Sequence, residues 1–374
     1  MIPPFCPRSG CIAHGQYPRL DWWMRNGHYE TMLMGPVPRF RCRICGAGFS
    51  AQTFSIDYYA KRHVDYRRLL GLQASSVGIR AAARLEKVDK KTIENKLMRL
   101  SHQAIAAQLL CLRRMRLSEN LAADGFQSFW VSQYFPNNLH ILAGTDSQFV
   151  YGYHGTTIRR SGRMSDEQKQ RRERLETRFK ADPRAVEYSF ARIIPLLSRL
   201  TWQARRDPIR LFTDEHPSYT RALDNDGATR ILITRGMLRR TKVSSKAPRT
   251  ACNPLFAVNY MDRELRKDEA EHVRETTRYA RAAHTSMERL SVYLLHHNFF
   301  KRYRIKQPVK DEQTHAGAAG VSKAFFKWMQ GWLTTQRVFL TKVPAPSPFL
   351  QVWLRTYQTP LAGHRAYLPR YVLD

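Results

Sequence analysis

The rhythm of apolar and polar positions changes several times along the chain. From Cys6 to about residue 55, aromatic, Gly and Pro residues follow one another without helical periodicity, which predicts a small, loop-rich module. From residue 58 to about 116 the spacing turns helical. Leu69, Leu70 and Leu72 are followed by Ile79, Ala82, Ala83 and Leu85, and then by Ile93, Leu97 and Leu100, which predicts a compact all-helical module. Beyond Leu117, short apolar and aromatic runs at 121–123, 129–135, 139–143 and 149–153 predict strands separated by turns. A basic stretch, TTIRRSGRMS, leads into a charged helix, DEQKQRRERLETRFK, and a more apolar helix is expected over 188–204. Short strands at 209–213 and 231–234 and helical pattern over about 261–296 follow, and the remainder is basic and aromatic with several prolines. The expected class is α/β, with module boundaries at 1–57, 58–117, 118–300 and 301–374.

Charge narrows the partners. With 62 Lys and Arg against 31 Asp and Glu, the net charge is +31, which attracts a polyanion. No apolar run approaches the roughly 18 residues of a membrane-spanning helix, and the start MIPPFCPRSG lacks the apolar core of a signal peptide. The expected location is therefore cytoplasmic, on the nucleoid, and the expected partner is double-stranded DNA.

Four of the six cysteines fall in two close pairs. Four residues separate Cys6 from Cys11 and two separate Cys42 from Cys45, with 30 residues between the pairs. Four thiolates on two knuckles satisfy a tetrahedral Zn²⁺ and hold together a module too small to be stabilised by burial. The first gap is wider than the usual two, which leaves His14 or His28 as a replacement ligand. Arg39, Arg41 and Arg43 place positive charge beside the second pair.

SSVGIRAAARLEKVDKKTIENKLMRL has the form of a helix-turn-helix. Ala82 and Ala83 permit close approach, the turn falls at residues 86–89, and Asp89 caps the second helix. Lys90, Lys91, Thr92, Asn95 and Lys96 are then the candidate base readers or phosphate contacts. Residues 235–249 add six basic side chains and no acid, with Arg239, Arg240, Lys242 and Lys246 as phosphate contacts, and residues 301–310 add five more. The run over 159–180 is different. Nine basic residues are interleaved with four acids there, as on a solvated helix face.

Asp124 ends the apolar run LAAD and is followed by Gly125, where a strand opens into a turn; Asp214 ends IRLFTD in the same way. Two such aspartates on neighbouring strands repel unless cations sit between them, and two divalent ions about 4 Å apart would do so, activating a water or hydroxyl for attack on phosphate. Glu288, in HTSMERLSVYLL, is the candidate third carboxylate. Glu271 and Glu275 compete with it, and Asp146 competes with Asp124.

LAADGFQSF, FTDEHPSY and RAAHTSMERLSVYLLHHNFFKRYRI together resemble the DDE transposases of bacterial insertion sequences, and the cysteine pairs and helix-turn-helix in front match the domain order of several such groups. The resemblance covers most of the chain. It implies an RNase H-like mixed sheet flanked by helices, with Asp124, Asp214 and Glu288 as the catalytic triad holding Mg²⁺ or Mn²⁺. It further implies an enzyme that binds the ends of its element, cleaves DNA, joins 3′-hydroxyls to a target and works as a dimer or larger assembly. Thr285 and Leu295 stand where many of these enzymes have Asn before the glutamate and Lys or Arg after it. An inactive, sequence-specific DNA-binding regulator is the alternative.

Overall fold

The computed structural model describes residues 2–15, 21–205, 208–273, 276, 278–304, 313–343 and 345–362. Its first strands form in the cysteine-bearing module, where β1 (Trp23–Thr31), β2 (Gly35–Cys42) and β3 (Gly48–Ser50) make an antiparallel sheet in chain order. Trp22, Phe40, Phe49 and Phe54 pack with Cys6, Cys11 and Cys42 into a small core that also takes in Phe339 from the far end of the chain.

Three helices follow: α1 (Tyr66–Gln73), α2 (Ile79–Leu85) and α3 (Lys90–Arg114). Asp65 caps α1 and Asp89 caps α3, each carboxylate accepting N–H groups that the first turn leaves without partners. Ala82 and Ala83 close on Ile93 and Leu97 around Leu69, forming the predicted α2–turn–α3 pair. The helix α3 is 25 residues long. Its first turns belong to this small core, whereas the stretch from Met98 to Leu112 is buried in the main core, so the helical module and the main sheet share one helix.

The main sheet consists of β4 (Leu121–Phe129), β5 (Pro136–Gly144), β6 (Val150–Thr157), β7 (Ile209–Thr213) and β8 (Leu238–Lys242). Its order is β6-β5-β4-β7-β8, with β4, β5 and β6 antiparallel and β7 and β8 parallel to β4. Between β6 and β7 lie α4 (Asp166–Glu176), α5 (Ala185–Ala191) and α6 (Ile194–Trp202); between β7 and β8 lie α7 (Pro217–Asp224) and α8 (Gly227–Thr234). After β8 come α9 (Phe256–Asp268), α10 (Ala283–Phe299), α11 (His315–Ala318), α12 (Lys323–Leu333) and α13 (Ser347–Trp353). The fold is therefore α/β: a five-stranded mixed sheet flanked by helices, preceded by the small sheet with its cysteine cluster.

Two glycines show why helices cover both faces. Gly152 and Gly155 are an odd number of residues apart on β6 and so open to opposite sides. A Cβ on Gly152 would lie 2.7 Å from Leu196 on α6, and one on Gly155 2.8 Å from Met287 on α10. With both faces covered, every residue of β5 is buried, and its apolar stretch reads as a continuous run rather than an alternation.

Some elements differ from the pattern read in sequence. The aromatic run 129–135 is mostly the corner between β4 and β5, where Trp130 N–H donates to Phe135 C=O at 2.9 Å. Residues 231–234, expected as a strand, belong to α8, because Asp226 accepts the Thr229 N–H at 2.7 Å and starts a helix upstream of the β-branched residues. The expected helix over 188–204 is two helices with a break at Ile193, and the pattern over 261–296 divides into α9, a short turn at Ala270–His272, and α10. The charged helix α4 buries no residue and carries the pairs Arg159–Glu176, Lys169–Asp166 and Arg172–Glu176.

The described part of the C-terminal region packs back onto the front of the molecule. Ile56 N–H donates to Thr335 C=O at 3.0 Å and Arg337 N–H to Phe54 C=O at 2.8 Å, while α12 and α13 pack on α3. No described helix is long and apolar enough to cross a membrane.

Candidate functional site

The four cysteines converge at the open end of the small sheet. Cys42 N–H donates to Ala47 C=O, and Gly46, with φ at 72°, donates its N–H to Cys42 C=O, forming the tight turn that brings Cys45 back beside Cys42. On the other side, Cys11 N–H donates to Arg8 C=O and Cys6 N–H to Ala13 C=O. All four sulfurs lie within 4.8 Å of one another, with Cys6–Cys45 at 3.6 Å and Cys11–Cys42 at 3.8 Å, and none forms a disulfide. A tetrahedral ion with metal–sulfur bonds of about 2.3 Å needs sulfur–sulfur edges of roughly 3.8 Å, so the cluster fits a metal such as zinc. The wider first gap costs nothing. His14 is not needed as a ligand, since its Nδ1 meets Cys6 C=O at 2.7 Å and its Nε2 meets Thr341 Oγ1 at 2.9 Å; His28 is exposed on β1.

Asp124 lies on the central strand β4, and Asp214 directly follows its parallel neighbour β7. The register pairs Leu121 with Leu211 and Ala122 with Phe212, and two residues further along it sets Asp124 level with Asp214. Because β7 ends at Thr213 while β4 continues to Phe129, Asp124 sits in mid-strand where its neighbour leaves the sheet, not in the turn that Gly125 suggested. The turn into α7 holds Asp214: its Oδ1 accepts the His216 N–H at 2.9 Å, and its carbonyl receives Arg240 Nη2 at 3.2 Å. Tyr219 of α7, 2% exposed, lies beside Asp124, where its hydroxyl acts to lower that carboxyl against the effect of burial. Burial, with Asp124 and Asp214 beside it, holds that phenol well above its ordinary pKa, so it remains a donor.

A third carboxylate joins from α9. Met261 and Leu265 point into the core, and α9 packs against β4 and β5, which brings the intervening Asp262 toward Asp124. Burial first, and then the facing charge of Asp124, pushes Asp262 up to about 7. Burial likewise raises Asp124 to about 6, with Asp214 adding to the shift. Arg249 opposes both shifts, and Arg266, whose guanidinium lies 5.0 Å from the Phe126 ring, opposes that of Asp262. All three aspartates are half-buried, so the group has a solvent-facing mouth. Among the described residues, however, only the cysteines have closed into a set of three or more ligands ready to hold an ion.

Glu288 is not part of this group. It is 1% exposed on α10, and its Oε1 lies 2.8 Å from Arg355 Nε. Burial pushes its carboxyl up to about 7 against the pull of Arg355, and the other charge acting on it is Glu94 of α3. The helix α10 is buried nearly all round, and the side bearing Glu288 meets α3 and the returning C-terminal segment rather than the end of β4. Glu271 is consumed by Arg289 at 2.8 Å and Ser286 at 2.8 Å, Glu275 lies outside the described residues, and Asp146 is exposed in the turn after β5, beyond the Leu121 end of β4.

The basic positions separate in the same way. Lys90 and Lys91 are exposed and share Glu94, at 2.9 and 3.8 Å, while Thr92 and Asn95 are half-buried. Lys96, expected beside them, is only 3% exposed and paired to Asp57, which also accepts the Tyr66 hydroxyl at 3.2 Å. Three residues beyond Ile93 and four before Leu100, position 96 falls on the inward face of α3. Arg239, Lys242 and Lys246 are exposed; Arg240 instead donates Nε to Thr213 Oγ1 at 2.9 Å and braces the Asp214 turn. In the second basic stretch, Lys301 is bound to Glu264 and Asp268, and residues 305–310 lie outside the described residues.

Asp262, Tyr219, Arg240 and Arg249 are the site residues, or the roles, that the sequence reading missed. The available signal for Asp262 was its position in NYMDRELRKD, one residue after a core methionine on the first helix that follows the last strand. No family model matches the chain, and a search of curated proteins finds no match.

Proposed function

We propose that the chain is a DNA-acting enzyme of the insertion-sequence transposase type, cleaving a phosphodiester and joining the resulting 3′-hydroxyl to target DNA. Asp124, Asp214 and Asp262 are its metal-holding acids. The observation that carries the reading is the convergence of two level aspartates, one within β4 and one at the end of β7, with a third on α9, two of them pushed up toward neutrality. The mixed sheet flanked by helices accords with the RNase H-like fold that the resemblance implies. Asp262 takes the place the resemblance gave to Glu288.

Mg²⁺ or Mn²⁺ bound there would make a water or a 3′-hydroxyl nucleophilic and stabilise the leaving oxygen. The chain's own work is positional. Tyr219 orients the Asp124 carboxylate, His216 N–H sets that of Asp214, Arg240 holds the Asp214 backbone carbonyl, and Arg249 adds positive charge beside the acids. The exposed Lys90 and Lys91, with the four-cysteine module in front, supply DNA contacts.

The test is Mg²⁺-dependent strand cleavage of duplex DNA carrying the native flanking sequences, by the wild type and by Asp214→Asn, Asp262→Asn and Glu288→Gln. The two aspartate variants are expected to bind and not cut, and Glu288→Gln to cut. Specific binding without cleavage by the wild type would overturn the enzymatic reading in favour of a regulator.

A further inference from the structure

We propose that the backbone of one strand of a nucleic-acid duplex lies along the cleft between α2 and the segment that leads into α10, its phosphates met by arginines from both walls; this rests on the DNA-acting reading above. The cleft encloses about 690 Å³. Arg80 and Arg84 stand on the α2 wall, Arg278 and Arg281 on the other, and all four are exposed. None of the four pairs with a described carboxylate. The acids that line the cleft are already engaged, Glu94 by Lys90 and Lys91, and Glu271 by Arg289 and Ser286. Among the described residues the cleft therefore presents guanidinium groups without a carboxylate partner, the group best suited to bind phosphate oxygens.

The walls are held in place from below. Arg289 donates Nε to Gln73 Oε1 at 3.1 Å, Nη2 to Glu269 at 2.9 Å and Nη1 to Glu271 at 2.8 Å, and Gln73 donates to both oxygens of Glu269 at 3.1 Å. That buried knot joins α1 of the helical module to the segment after α9 and to α10, the elements that flank the two walls. Four guanidinium groups on two sides of one cleft match a run of successive phosphates, as along a nucleic-acid backbone, better than a single anionic group.

The experiment follows a fluorescent duplex of about 30 base pairs binding to the full chain across a salt series. Arg80→Ala with Arg84→Ala tests one wall, and Arg278→Ala with Arg281→Ala the other. Arg163→Ala with Arg174→Ala removes equal charge from exposed positions outside the cleft. Each cleft pair is expected to weaken binding at least about tenfold and to reduce the slope of log affinity against log salt by about 2, the release expected for two lost phosphate contacts. The control pair should leave the slope near that of the wild type, and Arg80→Lys with Arg84→Lys should retain it. Thermal melts verify that the variants fold. Wild-type binding with unchanged affinity and slope in both cleft pairs would place the duplex elsewhere and overturn this inference while the DNA reading stands. Failure of the wild type to bind duplex at low salt, or binding only to anionic vesicles, would overturn both.

Discussion

The two candidate metal centres are built in opposite ways. The cysteine cluster comes from two tight turns on a small sheet and has closed to sulfur–sulfur distances of 3.6 and 3.8 Å. The carboxylate group comes from a strand, a strand end and a helix that are distant in sequence, and it remains open and half-buried, with burial raising Asp124 to about 6 and Asp262 to about 7. The difference follows from distance along the chain and from charge. Two tight turns bring the thiols together locally, whereas carboxylates carried in from separate elements repel until a cation lies between them. A local set of ligands can preassemble; a non-local, anionic set can only be positioned.

Breaking the first centre should have the largest effect. Structural zinc in small modules contributes on the order of 10 kcal/mol to their folding, so Cys42→Ser or a strong chelator should unfold the front sheet while the main sheet persists. Fluorescence of Trp22 and Trp23 would follow it, and an unchanged spectrum after chelation would make the cluster a plain thiol core.

At the second centre, Asp262→Asn should lower cleavage by more than about a hundredfold, the scale of one lost transition-state contact. Glu288→Gln should act differently. It leaves Arg355 facing a neutral partner in the interior, and breaking a buried pair costs roughly 3–5 kcal/mol, so the melting temperature should fall while activity per folded molecule survives. The reverse pattern would return the catalytic role to Glu288.

The same contrast between buried and exposed charge applies to α3. Lys96→Met strands Asp57 and should cost about 3 kcal/mol of stability with little effect on DNA affinity. Lys91→Ala should cost under about 0.5 kcal/mol, since an exposed pair contributes little, and should weaken DNA binding. Denaturant melts and binding isotherms on both variants separate the two roles.

The smallest effect concerns pH. Asp124 and Asp262 hold their protons more tightly folded than unfolded, so their contribution to stability is complete below about 4 and is lost as pH rises through about 6 and 7. Without divalent ions, stability should therefore decline across that window, and Asp262→Asn should flatten the decline. Protein whose decline is unaltered by that change would not have Asp262 facing Asp124 as described.

Legibility in the sequence followed distance along the chain. The paired cysteines, the capped α3 and the charged face of α4 depend on neighbours a few residues away, and their residue types state them directly. Asp124 and Asp214 were legible because each closes a short apolar run, although only Asp214 proved to follow a strand end. Asp262 was not, since its neighbours Met261 and Leu265 mark only an amphipathic helix, and nothing local says which sheet edge that helix covers. Glu288 misled for the same reason: a glutamate in an apolar helix reads alike whether it faces a site or an arginine 67 residues later.

By itself, then, the sequence determined the cysteine cluster, the helix pair, the α/β class and the cationic character of the whole, because spacing, capping and composition act over short range or do not depend on arrangement. Only the tertiary structure decided which acids meet, that Lys96 and Arg240 serve the fold, and that α3 belongs to two cores. Those outcomes depend on strand register and helix packing, where one residue of shift or a modest turn of a helix sends a side chain to the opposite face.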